Sequence, residues 1–288
     1  MSSTLWVDGA LVPAATARIS ALDTGFRSGL GVFETFRVDD GRALRPQAHL
    51  TRLRDGAHQL GFDIEVELLR AAVAATVTAN GHLGAHLALR ITCSAGPIDP
   101  DAPFPGTTPG PPTVVVTAQA AAPLRARPAL ATAVSTDLRR ELAGTKHTSY
   151  LVSLVAQQAA ATAGCSDALL CTPSGAPLEA ATANLLVVAD GVVSTPPAGA
   201  GILAGITRGA LLELARGAGL AVEEREVGAA ELAGADEALL TSAVRGVRAL
   251  THVDRREIGS GRAGPVTTQL AAAHRELVDR EAEAVTRR

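Results

Sequence analysis

The chain has few aromatic side chains and no excess of positive charge. Aromatic residues make up 2% of its 288 residues, and the formal net charge is -3 at pH 7. Proteins that bind nucleic acids need a basic surface for the phosphates, and those that bind single strands also use aromatic rings for stacking. The composition therefore argues against nucleic acid as a partner.

Long apolar segments and paired cysteines are also missing from the sequence. Apolar stretches such as residues 71–78 are too short to cross a bilayer, and the first twelve residues lack the features of a signal peptide. The three cysteines, Cys93, Cys165 and Cys171, are odd in number and lack the spacing of metal ligands. We therefore expect no membrane partner, no metal site, and buried thiols in a reducing, cytoplasmic environment.

Lysine is almost absent, because Lys146 is the only lysine among 26 lysines and arginines. Arginine can replace lysine on a solvated surface, but a guanidinium stays protonated and cannot attack a carbonyl as an amine can. One explanation is that a surface lysine survived by chance. The other is that Lys146 is a nucleophilic amine, and the residues around it have to decide between the two.

The remaining composition predicts a chain with a large core and two domains. Hydrophobic residues make up 47% of the sequence, and strand and helix patterns alternate irregularly, which indicates an α+β fold with two sheets. Residues 118–128 are small, polar and marked by prolines. We predict a small N-terminal α/β domain over 1–120, an interdomain linker over 121–128 and a C-terminal domain over 129–288. Residues 96–112, rich in proline and glycine, predict an exposed loop.

Apolar periodicity and turn signals predict the main elements of both domains. The predicted helices span residues 47–60, 65–80, 147–163 and 206–218. The predicted strands that concern the site span residues 32–38, 87–93, 184–189 and 237–241.

Tyr150, near Lys146, and Glu179, in an apolar stretch, are candidate functional residues. Tyr150 is the only tyrosine, so its hydroxyl is a candidate functional group, although a tyrosine that simply packs its ring is the alternative. Glu179 lies in the alanine-rich run Leu178–Asn184, where a carboxylate is costly unless a cation pairs with it. A protonated pyridine nitrogen would be such a cation. The alternative is a solvated loop glutamate after Pro177.

A glycine-rich helix start indicates an anion site. The run Gly201–Arg208 brings glycines and Thr207 to the start of the predicted helix, where free amides and the helix dipole favour phosphate. Thr207 as an ordinary helix cap is the alternative. Thr241, Ser242 and Ala243 end a strand and could complete the phosphate site. Arg52, on the first amphipathic helix, is by default a solvated arginine.

Taken in order, these motifs resemble the class IV, or fold-type IV, pyridoxal-phosphate enzymes. The members concerned are branched-chain aminotransferases, D-amino acid aminotransferases and 4-amino-4-deoxychorismate lyases, and the resemblance spans about Trp6 to Leu250. The motifs that carry it are GVFETFRV at 31–38, HLTRL at 49–53, lysine with tyrosine four residues later, LEAATAN at 178–184, TPP at 195–197, GILAGITR at 201–208 and TSAVRGV at 241–247. The resemblance implies a two-domain fold like that of D-amino acid aminotransferase, with a β-barrel-like core in the larger C-terminal domain.

The resemblance also implies roles for individual residues. Lys146 would bind the aldehyde of pyridoxal 5'-phosphate covalently and move protons. The other cofactor-binding residues would be Glu179 at the pyridine nitrogen, Tyr150 near the phenolic oxygen, Asn184, and, around the phosphate, Arg52, Ile206, Thr207, Ser242 and Ala243. Thr35 and Arg37 would face the substrate.

The reaction is left open between two chemistries that share the cofactor. The FET–x–RV strand, Ser242 with the following Arg245-Gly246-Val247, and the lack of further tyrosines favour a 4-amino-4-deoxychorismate lyase, which eliminates pyruvate to give 4-aminobenzoate. The alternative is an aminotransferase that moves an amino group between a branched-chain or D-amino acid and a 2-oxo acid. A catalytically idle scaffold is a third hypothesis, but Lys146 and Glu179 are both retained. The resemblance implies a homodimer with active sites near the interface.

Overall fold

The computed structural model describes residues 3–98, 110–124 and 129–286. Within these residues the chain divides into two compact units. The first unit runs to Pro123 and includes Thr145–Tyr150 and the residues from Glu281 onward, and the second comprises the rest. The sequence expectation had placed both of those later segments in the C-terminal domain. Residues 125–128 of the predicted linker and 99–109 of the predicted loop lie outside the described residues.

The first unit is built on an antiparallel sheet that two helices cover. Its elements are β1 Thr4–Val7, β2 Ala10–Pro13, α1 Thr24–Ser28, β3 Gly31–Asp39, β4 Arg42–Ala43, α2 Pro46–Gln59, α3 Val66–Ala79, a 3₁₀ turn at Gly81–Leu83, β5 His86–Ser94 and β6 Thr113–Ala120. Strand period two points Phe36 and Val38 of β3 to the same side as Leu89 and Ile91 of β5, and all four are buried. Helix α2 packs against β3, and α3 against β1 and β6.

The second unit contains a second sheet and the remaining helices. Its elements are β7 Ala129–Thr136, α4 Leu151–Thr162, β8 Asp167–Cys171, β9 Pro177–Ala180, β10 Ala183–Ala189, β11 Val192–Thr195, α5 Ile206–Gly217, β12 Ala221–Glu224, α6 Ala229–Ala233, β13 Glu237–Ser242, β14 Gly246–Val253, β15 Arg256–Glu257 and α7 Pro265–Glu281. A last short strand, β16 Glu283–Ala284, pairs with β4 and completes the order β16-β4-β3-β5-β6-β1-β2 in the first sheet.

Six strands of the second sheet close into a barrel. The order is β10-β13-β14-β7-β8-β9, and β9 pairs back onto β10. Alternate residues of β10 face opposite sides: Leu185 and Val187 join a cluster with residues of the other five strands, whereas Leu186 and Val188 pack against α5 and α7. Both faces of this strand are buried, which explains its continuous apolar run. The α+β class and the barrel-like core are confirmed.

The structure corrects one predicted element that bears on the site. The sequence predicts a helix from residue 147, but α4 begins at Leu151. His147 instead forms an antiparallel bridge with Val32. The Lys146 carbonyl and the Thr148 N–H are hydrogen-bonded to the start of β3, so the segment before α4 pairs with a strand and is not helical.

Two features of the composition can be located in the described part of the chain. Cys93 and Cys171 are buried and Cys165 is half-buried, and none of the three is in a disulfide. Within residues 3–98, 110–124 and 129–286 no helix is long and apolar enough to span a membrane, and no group of three metal-ligating side chains occurs.

Candidate active site

Lys146 is held in an extended segment beside the start of β3. Its carbonyl oxygen accepts a hydrogen bond of 2.8 Å from the N–H of Phe33, and the N–H of Thr148 donates one of 2.8 Å to Gly31. Gly31 has to be a glycine, since a Cβ there would come within 2.6 Å of the carbonyl oxygen of Cys93. The backbone at Lys146 is therefore hydrogen-bonded to β3 of the first sheet. Helix α4, which follows it, begins four residues later than the sequence predicts.

The Phe33 ring contacts three polar side chains, those of Lys146, Tyr150 and Arg90. The Lys146 Nζ lies 4.6 Å from the ring centroid of Phe33, and Tyr150 contacts that ring edge-to-face with centroids 5.1 Å apart. The Arg90 guanidinium stacks 3.7 Å from the same centroid. Burial lowers the pKa of Arg90, and nearby Tyr150 acts in the opposite direction. The site thus combines one amine, one phenol and one partly buried guanidinium.

Arg90 is a candidate site residue that the sequence analysis missed. It pairs directly across the β3–β5 ladder with Thr35, so the two side chains lie on the same face of the sheet. Strand alternation in LALRITC could have indicated this face, but only the register shows that Arg90 meets Thr35. Arg37 lies on that face too, where its Nε donates to Asp39 at 2.7 Å and its Nη1 to the carbonyl oxygen of Ala122 at 2.6 Å.

Arg52 belongs to a buried charge cluster in the first unit. Glu34 is fully buried and accepts hydrogen bonds from Arg52 Nε at 2.6 Å and from His49 Nδ1 at 2.8 Å. Burial alone would raise the pKa of Glu34, but the hydrogen bond from His49 and the charge of Arg52 outweigh it and lower the pKa to about 2. Arg52 is therefore oriented by a carboxylate, and the expectation of a merely solvated arginine is wrong.

Glu179 is the central carboxylate of the second unit. It is 2% exposed and lies in β9, so the alternative of a solvated loop glutamate is wrong. Asn184 Nδ2 donates to it at 3.0 Å, the N–H of Leu203 donates at 3.2 Å, and Arg140 forms a salt bridge with it. These donors hold both oxygens of a buried, charged carboxylate.

The strand register places Glu179 in a row with two further polar residues. Asn184 is the cross-strand partner of Glu179 on one side and of Thr241 on the other, so the three side chains share one face of the barrel wall. The Thr241 hydroxyl is buried without a hydrogen-bond partner among the described residues. Such an orphaned donor next to a carboxylate and an amide is expected where a polar ligand belongs.

Asn184 also connects this row to the start of α5. Its Nδ2 donates to the carbonyl oxygen of Leu203 at 2.8 Å, and Gly205, the N-cap of α5, lies so close to its Oδ1 that a Cβ would collide with it. Gly205 has no side chain that could cap the helix. The first amides of α5, including those of Ile206 and the buried Thr207, can therefore donate hydrogen bonds to an anion.

Ser242 and Ala243 lie at the end of β13, directly after Thr241. The Ser242 Oγ accepts a hydrogen bond of 3.4 Å from the N–H of Arg245. The structure therefore groups Glu179, Asn184, Thr241 and the start of α5 in the second unit. It groups Lys146, Tyr150, Thr35 and Arg90 in the first.

Comparison with known proteins identifies the family. The model of the amino-transferase class IV family matches residues 31–253, which is most of the chain. The chain belongs to the class IV aminotransferases.

Relatives of this class IV aminotransferase align over nearly its whole length. It is 30% identical to a branched-chain-amino-acid aminotransferase of Pseudomonas aeruginosa, over 97% of this chain and 94% of that one. It is 29% identical to a D-alanine aminotransferase of Bacillus licheniformis, over 92% and 94% of the two chains. Its fold matches the branched-chain aminotransferase of Thermoproteus uzoniensis solved with norvaline, with a TM-score of 0.87, 27% identity, and 99% and 100% of the two chains covered.

The cofactor of this class IV aminotransferase is pyridoxal phosphate, as the resemblance implied, and the described residues fit it. A buried carboxylate oriented by Asn184 and Leu203 suits a protonated ring nitrogen, and the open start of α5 suits a phosphate. The unpartnered Thr241 hydroxyl, which the sequence analysis named only as part of a phosphate site, adds a further donor. A set of this kind is typical of a phosphorylated pyridine cofactor.

Proposed function

We propose that this chain is an aminotransferase that moves an amino group from an amino acid to a 2-oxo acid. Its similarity to branched-chain and D-alanine aminotransferases over more than nine-tenths of its length carries the proposal. These relatives favour the reaction that the sequence analysis ranked second over the 4-amino-4-deoxychorismate lyase that it ranked first. The FET–x–RV strand is one of the features that had suggested the lyase.

The proposed roles follow the chemistry of each group. Pyridoxal phosphate supplies an aldehyde that condenses with amines and a ring that accommodates negative charge beside the reacting carbon. Lys146 Nζ would hold the aldehyde carbon covalently, with loss of water, until the amine of the substrate displaces it, and the Lys146 amine freed in this way would accept the proton from the substrate's α-carbon. The Tyr150 hydroxyl would orient the phenolic oxygen, and Glu179, held by Asn184, would keep the ring nitrogen protonated.

Backbone amides and hydroxyls would hold the phosphate. The amides of Ile206 and Thr207 lie in the first turn of α5, where the helix dipole favours an anion, and the Thr207 hydroxyl adds a donor. Ser242, Ala243 and Arg52 are proposed for the same group. The Glu34 carboxylate fixes the Nε end of Arg52 and so directs the planar guanidinium.

Substrate recognition is proposed for the face of the first sheet that carries Thr35. A substrate carboxylate needs a cation, and Arg90 lies on this face beside Thr35 and close to Tyr150. Arg37 was also predicted to face the substrate. Its guanidinium already binds Asp39 and a backbone carbonyl, so we give Arg90 the direct contact and keep Arg37 as a support for the same face.

A homodimer is proposed as the working assembly. Helix α4 exposes Leu151, Leu154 and Val155, which are 71%, 55% and 42% exposed. Their i, i+3, i+4 spacing forms an aliphatic stripe on one side of the helix, which a second copy of the chain would cover. The stripe begins one residue after Tyr150, as expected if the active site lies near the subunit interface.

The reaction can be tested with the purified chain and two assays. Incubation with pyridoxal phosphate, L-leucine or D-alanine and 2-oxoglutarate should form glutamate, whereas incubation with aminodeoxychorismate should form no 4-aminobenzoate. Formation of 4-aminobenzoate without glutamate would restore the lyase. Because the chain has one lysine, borohydride reduction should attach the cofactor to the peptide that contains Lys146. A Lys146→Arg variant keeps the charge and should show neither attachment nor turnover.

A further inference from the structure

We propose that the Arg140 guanidinium partly neutralises the negative charge of Glu179. The attraction between this carboxylate and a protonated ring nitrogen is thereby weakened. The proposal rests on the proposed role of Glu179 as the partner of that nitrogen. Arg140 is a positioning residue in this scheme, since it contacts the carboxylate and is assigned no contact with substrate. Arg140 is not among the candidate residues of the sequence analysis.

The observation behind this proposal is a buried ion pair inside the second unit. The side chains of Arg140 and Glu179 are 8% and 3% exposed, and Arg140 Nη2 contacts Glu179 Oε1. Asn184 Nδ2 and the N–H of Leu203 bind the same carboxylate, but these are neutral donors. They can orient the carboxylate, whereas Arg140 also balances its charge.

Charge balance has opposite consequences without and with the cofactor. When no cofactor is bound, burial of the Glu179 carboxylate as an isolated anion would cost folding free energy, and Arg140 removes much of that cost. With the cofactor bound, a protonated ring nitrogen and the Arg140 guanidinium share one carboxylate. Two cations a few ångströms apart repel each other appreciably in a partly dry site. Arg140 should therefore stabilise the cofactor-free chain and reduce the preference of the site for a positively charged ring.

A purely structural role for Arg140 gives a different expectation. If Arg140 only attached residues 139–145 to the barrel, its loss would weaken the binding of every ring analogue by the same factor. The two roles are separated by comparing pyridoxal phosphate with its 1-deaza analogue, in which carbon replaces the ring nitrogen and no ring proton can be held. The quantity to measure is the ratio of the two dissociation constants, analogue over cofactor, from absorbance titrations.

Arg140→Met should raise this ratio roughly tenfold or more over the unmodified chain, because repulsion acts on the charged ring alone. The neighbouring Arg139 is exposed to solvent, so Arg139→Met is a matched control and should leave the ratio unchanged. Arg140→Lys retains the positive charge and should keep the ratio near that of the unmodified chain. Circular dichroism of the cofactor-free proteins checks that each variant folds.

The outcomes separate this inference from the proposed function. Glu179→Gln removes the charge and should bring the ratio close to one. If it leaves the ratio unchanged, Glu179 does not bind the ring nitrogen and the proposed role of Glu179 fails. If Glu179→Gln lowers the ratio but Arg140→Met matches Arg139→Met, Glu179 keeps its role and the tuning by Arg140 is refuted. If Arg140→Met does not fold, an unchanged ratio in Arg140→Gln would refute the tuning in the same way.

Discussion

Replacing Glu34 with glutamine tests whether the charge cluster around Arg52 contributes to stability. Glu34→Gln keeps the shape of the side chain but leaves His49 and Arg52 without their common carboxylate. The pKa of Glu34 falls from an ordinary 4.5 to about 2 in the fold. At about 1.4 kcal/mol per pH unit, this gap corresponds to roughly 3 kcal/mol of folding free energy. We expect the variant to lose about that much at pH 7.

The pH dependence of this loss has a definite sign. A carboxyl group whose pKa is lowered by folding stabilises the protein above its ordinary pKa and loses this contribution as the pH falls towards the lowered value. The contribution of the Glu34 carboxylate to the difference between the unmodified chain and Glu34→Gln should therefore be constant above about pH 5. It should shrink below 4.5 and vanish as the pH approaches 2. If Glu34→Gln lost the same amount of folding free energy at every pH, the shape of the side chain and not its charge would be responsible for the loss.

The assay can use the single tryptophan, because Trp6 lies in β1 of the first unit together with Glu34. Urea unfolding followed by Trp6 fluorescence reports on that unit even if the second unit unfolds separately. Glu67→Gln on α3 is the control: its carboxylate is 72% exposed and faces Arg70 at 3.7 Å, so the change should stay within about 0.5 kcal/mol. A loss below about 1 kcal/mol in Glu34→Gln at pH 7 would refute the reasoning, because breaking a buried pair costs roughly 3–5 kcal/mol.

Two further predictions concern the start of α5 and the exposed stripe on α4. Gly205→Ala would drive a Cβ into Asn184 and disturb its bond to Glu179, so the dissociation constant of pyridoxal phosphate should rise about tenfold in absorbance titrations. A Cβ at Gly209, in the same helix, would meet no neighbouring atom, so Gly209→Ala should bind pyridoxal phosphate normally and gain up to about 1 kcal/mol of stability. Equal dissociation constants for the two variants would contradict the prediction. Leu154→Arg should reduce the mass in light scattering from twice the 29.3 kDa of one chain to a single chain, while Gln269→Arg on the exposed side of α7 should not. A dimer that survives Leu154→Arg places the interface elsewhere.

Local signals were sufficient for two of the helices near the site. The helix predicted over 47–60 is α2 at Pro46–Gln59, and the one predicted over 206–218 is α5 at Ile206–Gly217. Apolar spacing and glycine punctuation are properties of neighbouring residues, so they can be found without a fold. The short strand β9 was missed, since its four residues show no periodicity and its pairing with β8 and β10 depends on contacts outside the strand itself.

The residue count made Lys146 a candidate nucleophile, because chemistry that requires an amine cannot use arginine, and the motifs around it favoured that interpretation. The partners of the charged groups were not visible in this way. Arg140 with Glu179, Arg52 with Glu34, and Arg90 with Thr35 are separated by 18 to 55 residues, and strand register and burial decide which of the arginines meets which neighbour. The linear order of residues thus indicated the family and predicted candidate reactive groups, through local composition and motif order. Three-dimensional packing specified which charges are buried together, because the cost of removing an ion from water depends on neighbours that only the folded chain supplies.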